Sequence, residues 1–414
     1  MKKQSTGRIL NLTAILVFLF CMGACEGLET GDSGKTTPYD GIVLTKGEEA
    51  VRDVTNDFSL KLFGQLVSGN ENVFISPMAV TMLNLMLANG AEGETYDEIV
   101  KTMGLGSYSI KDINAYYKLM TRALMKADKS VSLSLSNSMW LGKDFSVKIP
   151  FKNSMDKVFD ADIYNVDFSK ETSVKKINQW ANSKTSGLIP QLLDRVDGNT
   201  AMMLVNALYF HGEWYSKFKE TNSVMDKFHC LNGSTSYVTY MSQLAPLSSY
   251  IDDEVLVVRM PYGNQAFEME AILPLTDDFL GFVSSLTMDK LVKWDQDNTD
   301  QIELHFPRME LEYNSQNRLT AALKALGMKQ PFSATANFSA ISNSGVYVSD
   351  LLQKAKIKVD EEGTTAAAVG FLKMYTASDY KIVEYPKVYF DRPFVFLIRE
   401  SSTGCILFMG TKVK

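Results

Sequence analysis

The segment from Glu361 to Ser378 is the feature that most constrains how this chain folds, because it starts as a loop and continues with the alternation of a strand. At the strand period of two, the small or apolar residues on one face are Thr364, Ala366, Ala368, Gly370, Leu372 and Met374. The other face carries Lys373, which needs water. No proline lies between Gly363 and Val383, so every backbone N–H is free to pair in a sheet. From this segment alone, an Ala-rich turn or helix end fits the sequence as well as a loop that can enter a sheet.

The N-terminus reads as a targeting segment followed by a tether. Residues 1–25 begin with Lys2 and Lys3 and continue into an apolar run, residues 9–20, that is too short for a stable membrane span. The run ends in Met-Gly-Ala-Cys25, which resembles the site at which bacterial lipoproteins are cut and acylated on the new N-terminal cysteine, although Met22 replaces the usual leucine. Ordinary secretory cleavage is the alternative. Residues 26–44 then form a polar tether before a domain of residues 45–414.

Composition favours one large core and excludes several functions. Hydrophobic residues make up 45% of the chain and charged residues 22%, with no break that would divide residues 45–414. The net charge of -6 argues against a nucleic-acid partner. Beyond Cys25 only Cys230 and Cys405 remain, too few for a disulfide framework, so the fold depends on packing.

Two apolar segments predict buried elements. Residues 77–88 form a helix that is apolar on nearly every side, with Ser76 as its N-cap, Pro77 in the first turn and Asn89-Gly90 at its end. Residues 202–214 form an apolar strand that ends in a turn near Trp214. Asn206 is an unexpected amide within that strand, and a buried amide needs hydrogen-bond partners.

These segments, in this order, resemble the serpin family over about residues 50–414. The resemblance implies an α+β serpin fold, with a large mixed main sheet, two smaller sheets, about eight or nine helices and an exposed reactive loop of about residues 361–385. It assigns Ser76, Asn206, Gln353 and Trp214 to the region where the main sheet opens. The hinge of inhibitory members corresponds here to Glu361, Glu362, Gly363, Thr364, Thr365, Ala366, Ala367 and Ala368.

The sequence departs from the family in two places. Gln353 stands where the family commonly has histidine, which puts one hydrogen bond of the opening region in doubt, although an amide can donate and accept. The segment from Ser378 to Pro393 is several residues longer than usual. Inhibitory members keep a nearly fixed distance between the hinge glutamate and the reactive bond, so the resemblance implies that the bond, counted from Glu361, is Ala377–Ser378, with a cut after Thr376 as the second choice.

Nothing else in the chain indicates catalysis, a metal or a cofactor. The three histidines, His211, His229 and His305, come without a nucleophile motif or metal-ligand spacing, and structural roles fit them better. Cationic residues recur along the predicted helix of residues 110–126. A solvated helix face is the favoured interpretation, with a polyanion site as the alternative. The cations are Lys111, Lys118, Arg122 and Lys126.

The predicted function is inhibition of serine proteases as a suicide substrate, and the protein itself is not an enzyme. Because Ala377 offers only a methyl group to the primary pocket of a protease, elastase-like enzymes are the favoured targets, with cysteine proteases as a second class. The alternatives are a non-inhibitory binding or structural member of the family and, disfavoured by the missing triad, a hydrolase. We expect a monomer that is exported and lipid-anchored through Cys25 to the bacterial outer membrane or cell surface; a secreted or periplasmic protein is the alternative.

Overall fold

The structure, a computed structural model, describes residues 38–295, 299–315, 317–349, 351, 353–363 and 385–414. Within these residues there are nine α-helices and two short 3₁₀ turns, at Glu220–Asn222 and Gln330–Phe332. The helices are α1 (Lys46–Leu66), α2 (Pro77–Ala88), α3 (Glu94–Thr102), α4 (Ile110–Ala127), α5 (Ile149–Phe159), α6 (Glu171–Lys184), α7 (Phe279–Ser284), α8 (Met288–Trp294) and α9 (Arg318–Ala325).

Fourteen strands of the described residues form one large mixed sheet and two smaller sheets. The strands are β1 (Phe74–Ile75), β2 (Ser132–Gly142), β3 (Asp162–Val166), β4 (Met202–His211), β5 (Val224–His229), β6 (Thr235–Ile251), β7 (Val255–Tyr262), β8 (Phe267–Pro274), β9 (Thr299–Pro307), β10 (Met309–Asn314), β11 (Lys354–Val359), β12 (Lys387–Tyr389), β13 (Phe394–Glu400) and β14 (Ile406–Lys412).

The nine-stranded sheet has the order β1-β14-β13-β8-β7-β6-β9-β12, with β5 paired to β6 beside it. It is mixed because β12 runs parallel to β9 while its other pairs are antiparallel. The smaller sheets have the orders β3-β2-β4 and β10-β11. The predicted α+β class, with a large mixed sheet, two smaller sheets and eight or nine helices, is confirmed.

The buried helix α2 occupies the place its sequence predicts. All twelve of its residues are buried, the Ser76 side chain accepts from the N–H of Ala79 as the N-cap, and Pro77 occupies the first turn. The helix packs between β4 and β14. A helix that is apolar all round lowers the free energy only when it is enclosed on every side, and this position meets that requirement.

Helix α6 begins at Glu171 and ends at Lys184, three residues before Gly187, whose φ of 86° helical residues do not adopt. Strand β4 ends at His211, so the turn predicted near Trp214 begins after that residue. Of the helices within the described residues, none combines the length and the apolar character needed to cross a bilayer.

The last residues of the predicted tether, 38–44, pack against the folded body. The Tyr39 hydroxyl donates to the Glu400 carboxylate at 2.7 Å, and the N–H of Ile42 donates to the Ser402 hydroxyl at 2.8 Å. Ile42 and Leu44 lie against the hydrophobic core. Residues 1–37, which include the predicted targeting segment, lie outside the described residues.

Two residues that the resemblance assigned to the opening of the main sheet, Asn206 on β4 and Gln353 just before β11, lie not in the nine-stranded sheet but at unpaired edges of the two smaller sheets. Among the described residues, β4 pairs only with β2 and β11 pairs only with β10. Glu213, just beyond β4, and Asp360, just beyond β11, both bridge to Gly363. Both bridges are antiparallel, so the ends of β4 and β11 run in the same direction on either side of Gly363, with an edge of each strand open to a further strand.

Candidate functional site

The chain reverses direction immediately after β11, at the start of the predicted hinge. The N–H of Asp360 donates to the carbonyl of Gly363 at 3.0 Å, and the N–H of Gly363 donates to the carbonyl of Asp360 at 3.2 Å. These reciprocal bonds enclose Glu361 and Glu362 as a two-residue hairpin turn. Gly363 also forms an antiparallel bridge to Glu213. The hinge therefore begins between the ends of β4 and β11.

Gly363 is required at this position by both conformation and space. Its φ of 131° is a value that residues with a Cβ rarely adopt. A Cβ built there would lie 2.4 Å from the carbonyl oxygen of Gly212 and 2.6 Å from the amide nitrogen of Trp214. Only glycine allows the hinge to approach the end of β4 so closely.

Glu361 is a buried carboxylate held by a cation and a hydroxyl. Its side chain is 3% exposed, and the Arg308 guanidinium pairs with it, with Nε donating at 2.7 Å. The Ser223 hydroxyl also donates to it. Burial alone would raise the pKa of Glu361, but the hydrogen bonds from Arg308 and Ser223 outweigh burial and hold the pKa below its usual value. The hinge glutamate is therefore charged at neutral pH.

Trp214 closes the same end of the site from the β4 side. Its indole N–H donates to the Asp360 carbonyl at 2.9 Å, and its backbone N–H donates to the Glu362 carbonyl at 2.9 Å. Its ring stacks on Tyr262 with centroids 4.4 Å apart. The resemblance placed Trp214 where the loop enters the sheet, and the structure brings it into contact with the hinge.

Ser76 and Gln353 form a reciprocal pair at the other end of β11. The Ser76 N–H donates to Gln353 Oε1 at 2.8 Å, and Gln353 Nε2 donates to the Ser76 carbonyl at 3.0 Å. The Ser76 hydroxyl donates to the Leu407 carbonyl at 2.7 Å. The amide at position 353 thus donates and accepts at once, and both side chains are buried.

Asn206 lies apart from this pair. Its Nδ2 donates to Asn137 Oδ1 at 2.7 Å across the β2–β4 ladder, and Asn137 Nδ2 donates to the Phe159 carbonyl at 2.8 Å. The Oδ1 atom of Asn206 is buried and accepts no hydrogen bond from the described residues. Asn206 therefore links β4 to β2, and Gln353 links the start of β11 to the N-cap residue of α2. None of these hydrogen bonds joins β4 to β11.

Several predicted residues fall outside the described part of the chain. They are the hinge residues Thr364, Thr365, Ala366, Ala367 and Ala368, the reactive-bond residues Thr376, Ala377 and Ser378, and Cys25. Sequence reasoning missed Arg308, Ser223, Tyr262 and Asn137, which contact the predicted residues. The sequence does show that Arg308 is a cation directly after the strand of residues 299–307. It does not show that Arg308 pairs with Glu361, 53 positions away. No cluster of metal-ligating side chains occurs in the described segments.

Comparison with known proteins agrees with this architecture. The sequence profile of the serpin (serine protease inhibitor) family matches residues 53–414. The human leukocyte elastase inhibitor is 31% identical over 380 residues, covering 87% of this chain and 98% of that protein. Iripin-1 of Ixodes ricinus is 30% identical and covers 88% of this chain and 95% of its own length.

Among solved structures, the thermophilic serpin tengpin in its native state superimposes with a TM-score of 0.80 at 29% identity, covering 92% of this chain and 97% of tengpin. The fold, the family profile and the relatives all indicate the same family. The chain belongs to the serpin family, whose members the profile describes as serine protease inhibitors.

Proposed function

We propose that this protein inhibits serine proteases as a suicide substrate, by inserting its cleaved reactive loop between β4 and β11. The observation that carries the proposal is the chain reversal at Asp360–Gly363, where Gly363 pairs with the end of β4. A strand that continued in that direction would run antiparallel to both open edges. One added strand needs two open edges, a matching direction and a point of entry, and the proposal is supported by the edges of β4 and β11 and by the chain reversal at Gly363.

The chemistry begins as ordinary acyl transfer. The hydroxyl of the protease serine attacks the carbonyl carbon of residue 377, and its proton passes to the leaving nitrogen of residue 378. The peptide bond breaks, and an ester joins the inhibitor to the enzyme. Insertion of the freed loop then carries the tethered protease away from its starting position before water hydrolyses the ester. This chain supplies the cut segment and the receiving sheet, and the protease supplies the catalytic groups.

The driving force is the completion of the sheet. Insertion of residues 364–374 would form on the order of ten backbone hydrogen bonds at about 1 kcal/mol each, or roughly 10 kcal/mol before side-chain burial. It would also give each open edge an antiparallel neighbour, which is the slightly more stable arrangement. Since the uncut protein lacks this stabilisation, its persistence is kinetic. Serpin loop insertion is itself a standard example of strand addition and release of stored strain.

The favoured targets are proteases with a shallow primary pocket. A cut after Ala377 presents one methyl group, which suits elastase-like enzymes better than enzymes that require a cation or a ring. The human relative at 31% identity is named for inhibition of leukocyte elastase, which supports the same preference. A cut after Thr376 is the second choice, and cysteine proteases are the second target class.

A protease panel read on a denaturing gel tests the mechanism. We expect a covalent complex with an elastase-type enzyme that survives boiling in detergent, and a released C-terminal peptide that begins at Ser378 by mass spectrometry. A peptide that begins at Ala377 would support the second choice of bond. Complete cleavage without a complex for every protease would favour a non-inhibitory family member.

We also propose that the protein is a monomer exported to the bacterial envelope and held to the membrane by acylated Cys25. The support is the Ala24-Cys25 motif and the polar segment that follows it. Radioactive palmitate should label the parent, whereas the Cys25→Ala variant should remain unlabelled and leave the membrane fraction. Equal labelling of both would contradict the lipid anchor.

A further inference from the structure

A cavity opens beside the hinge, and most of the charged groups that line it are acidic. It has a volume of about 440 Å³ and lies between the turn of residues 360–362, the 3₁₀ turn that begins at Glu220, and the adjoining ends of β10 and β11. This volume falls within the range of small-molecule sites in proteins. Five carboxylates line the cavity, against two cations, Arg308 and Lys358. We call it the hinge cavity.

Two of the five carboxylates, those of Glu220 and Glu362, form no ion pair with any residue that the structure describes. The other three are paired with cations, as Glu361–Arg308, Asp360–Lys358 and Glu310–Lys356. The Oε2 atom of Glu362 is also buried, and it accepts no hydrogen bond from the described residues. A buried carboxylate oxygen without a partner is costly, so a donor that reaches it gains binding free energy.

The two unpaired carboxylates lie on segments that hydrogen bonds hold together. The N–H of Trp214 donates to the Glu362 carbonyl at 2.9 Å, and the N–H of Phe218 donates to the Glu361 carbonyl at 2.9 Å. These bonds tie the segment that leads to Glu220 to the turn that carries Glu362. A site whose walls are already fixed loses little conformational freedom when it binds a ligand.

The lining favours an organic cation with more than one amino group. Two separate carboxylates call for two positive centres, and Met309 and Val359 add apolar surface for a methylene chain between those centres. A bare metal ion fits less well, because calcium takes six or more oxygen ligands at close range. No cluster of three metal-ligating side chains occurs in the described part of the chain.

We propose that the hinge cavity binds an aliphatic polyamine, with one ammonium group on Glu362 and another on Glu220. Each ammonium group donates charge-assisted hydrogen bonds to its carboxylate. Occupancy also relieves the repulsion between the neighbouring negative charges of residues 360–362, and it therefore stabilises the hairpin turn at the hinge. Because insertion starts from this turn, a bound polyamine raises the fraction of protease that is trapped. This consequence, unlike the binding itself, rests on the proposed function.

Calorimetric titration of the full chain with spermidine tests the binding. Glu220→Gln and Glu362→Gln each remove one negative charge and keep the size of the side chain. Glu254→Gln is the control, because Glu254 is exposed in the turn between β6 and β7. We expect each cavity variant to bind spermidine about tenfold more weakly, the loss typical of one charge-assisted hydrogen bond, and the control to match the parent.

Melting temperatures provide a second readout of the same binding. Saturating spermidine should raise the midpoint of the parent by about 1–2 °C, and that of Glu220→Gln by less. Equal spermidine affinity in the parent and in Glu220→Gln, or no more heat than an uncharged diol of equal length gives, would overturn the site. Displacement of spermidine by an equal concentration of calcium chloride would overturn the polyamine in favour of a metal ion. Glu220 lies outside the hinge turn, so its variant decides the question even if Glu362→Gln fails to fold.

Reaction with a protease panel separates this inference from the proposed function. With a protease that the parent traps, spermidine should raise the ratio of covalent complex to cleaved inhibitor for the parent but not for Glu220→Gln. An unchanged ratio at saturating spermidine would overturn the effect on insertion. Spermidine binding that depends on Glu220, with no covalent complex for any protease, would overturn the proposed function and keep the site. Covalent complexes without spermidine binding would keep the function and overturn the site.

Discussion

Arg399 is the centre of a charge cluster, buried except at Asp295, in which three carboxylates surround two guanidinium groups. Its Nε donates to Glu268 at 2.8 Å, its Nη1 lies 3.2 Å from Glu270, and it also pairs with Asp295. Arg259, on β7, also pairs with Asp295. Glu270 is fully buried, and neither of its oxygens accepts a well-formed hydrogen bond from the described residues. Glu270 is therefore the carboxylate of the cluster that has the poorest hydrogen bonding.

The pKa of Glu270 should make stability depend on pH near neutrality. Burial raises this pKa to about 7, although Arg399 acts in the opposite direction. Because the pKa is higher in the folded protein than in the unfolded chain, the stabilisation is complete below the unfolded pKa and is lost as the pH rises through about 7. The parent should lose on the order of 1–2 kcal/mol of unfolding free energy between pH 6 and pH 8.5 from this group.

Glu270→Gln should remove that loss, since glutamine resembles the protonated acid. Urea unfolding at several pH values measures the slope, and Glu310→Gln is the control because Glu310 is a surface residue paired with Lys356. A variant with the same pH slope as the parent would contradict the assignment to Glu270.

Some residue roles were readable from the sequence, and others were not. Ser76 was predictable as an N-cap because the cap and the proline after it act within one helical turn. The family resemblance put Ser76 and Gln353 in one region, but the local sequence could not show that they pair, because they stand 277 positions apart. The same holds for Tyr39 and Glu400, where an expected polar tether supplies a donor to a buried carboxylate.

At the scale of elements, the hairpin of residues 360–363 fixes the direction in which the hinge leaves β11. Gly363→Ala should destabilise this turn, because alanine would have to adopt a φ of 131° and place its Cβ 2.4 Å from a carbonyl oxygen. We expect a cost of roughly 2 kcal/mol or more. We also expect a larger fraction of the variant to be cleaved without trapping the protease, because the first step of insertion is obstructed.

Gly345→Ala is the matched control, since a Cβ at that position meets no atom within 4 Å. Urea unfolding gives the stability of each variant, and a gel after reaction with the trapped protease gives the ratio of complex to cleaved inhibitor. If Gly363→Ala traps as efficiently as Gly345→Ala, the hairpin does not guide insertion.

Element prediction succeeded where the pattern was local. Helix α2 has a start signal, an end signal and only two polar residues, Thr81 and Asn84, among its twelve, so both its type and its burial followed from the sequence. The open edges of β4 and β11 did not follow. A strand sequence records which side chains face the core, but it does not record whether a backbone edge has a neighbour.

For the whole molecule, a cut in the reactive loop should raise thermal stability. Limited proteolysis within residues 371–377 frees the segment that follows Gly363, and its entry between β4 and β11 adds backbone hydrogen bonds and buried surface. An ordinary loop nick lowers the melting temperature or leaves it unchanged. Calorimetry before and after the cut gives the answer, and a midpoint that does not rise would support a non-inhibitory member of the family.

The contacts of Tyr39 set a limit on the reach of an anchored molecule. Tyr39, whose side chain donates to Glu400, stands fourteen positions after Cys25, and such a segment spans at most about 50 Å when fully extended. A body of about 370 residues is itself on the order of 50 Å across. With a lipid on Cys25, the folded body could therefore move no farther from the membrane surface than about its own diameter. Protection would then scale with the number of molecules per unit area of envelope, and proteases that pass farther out would escape.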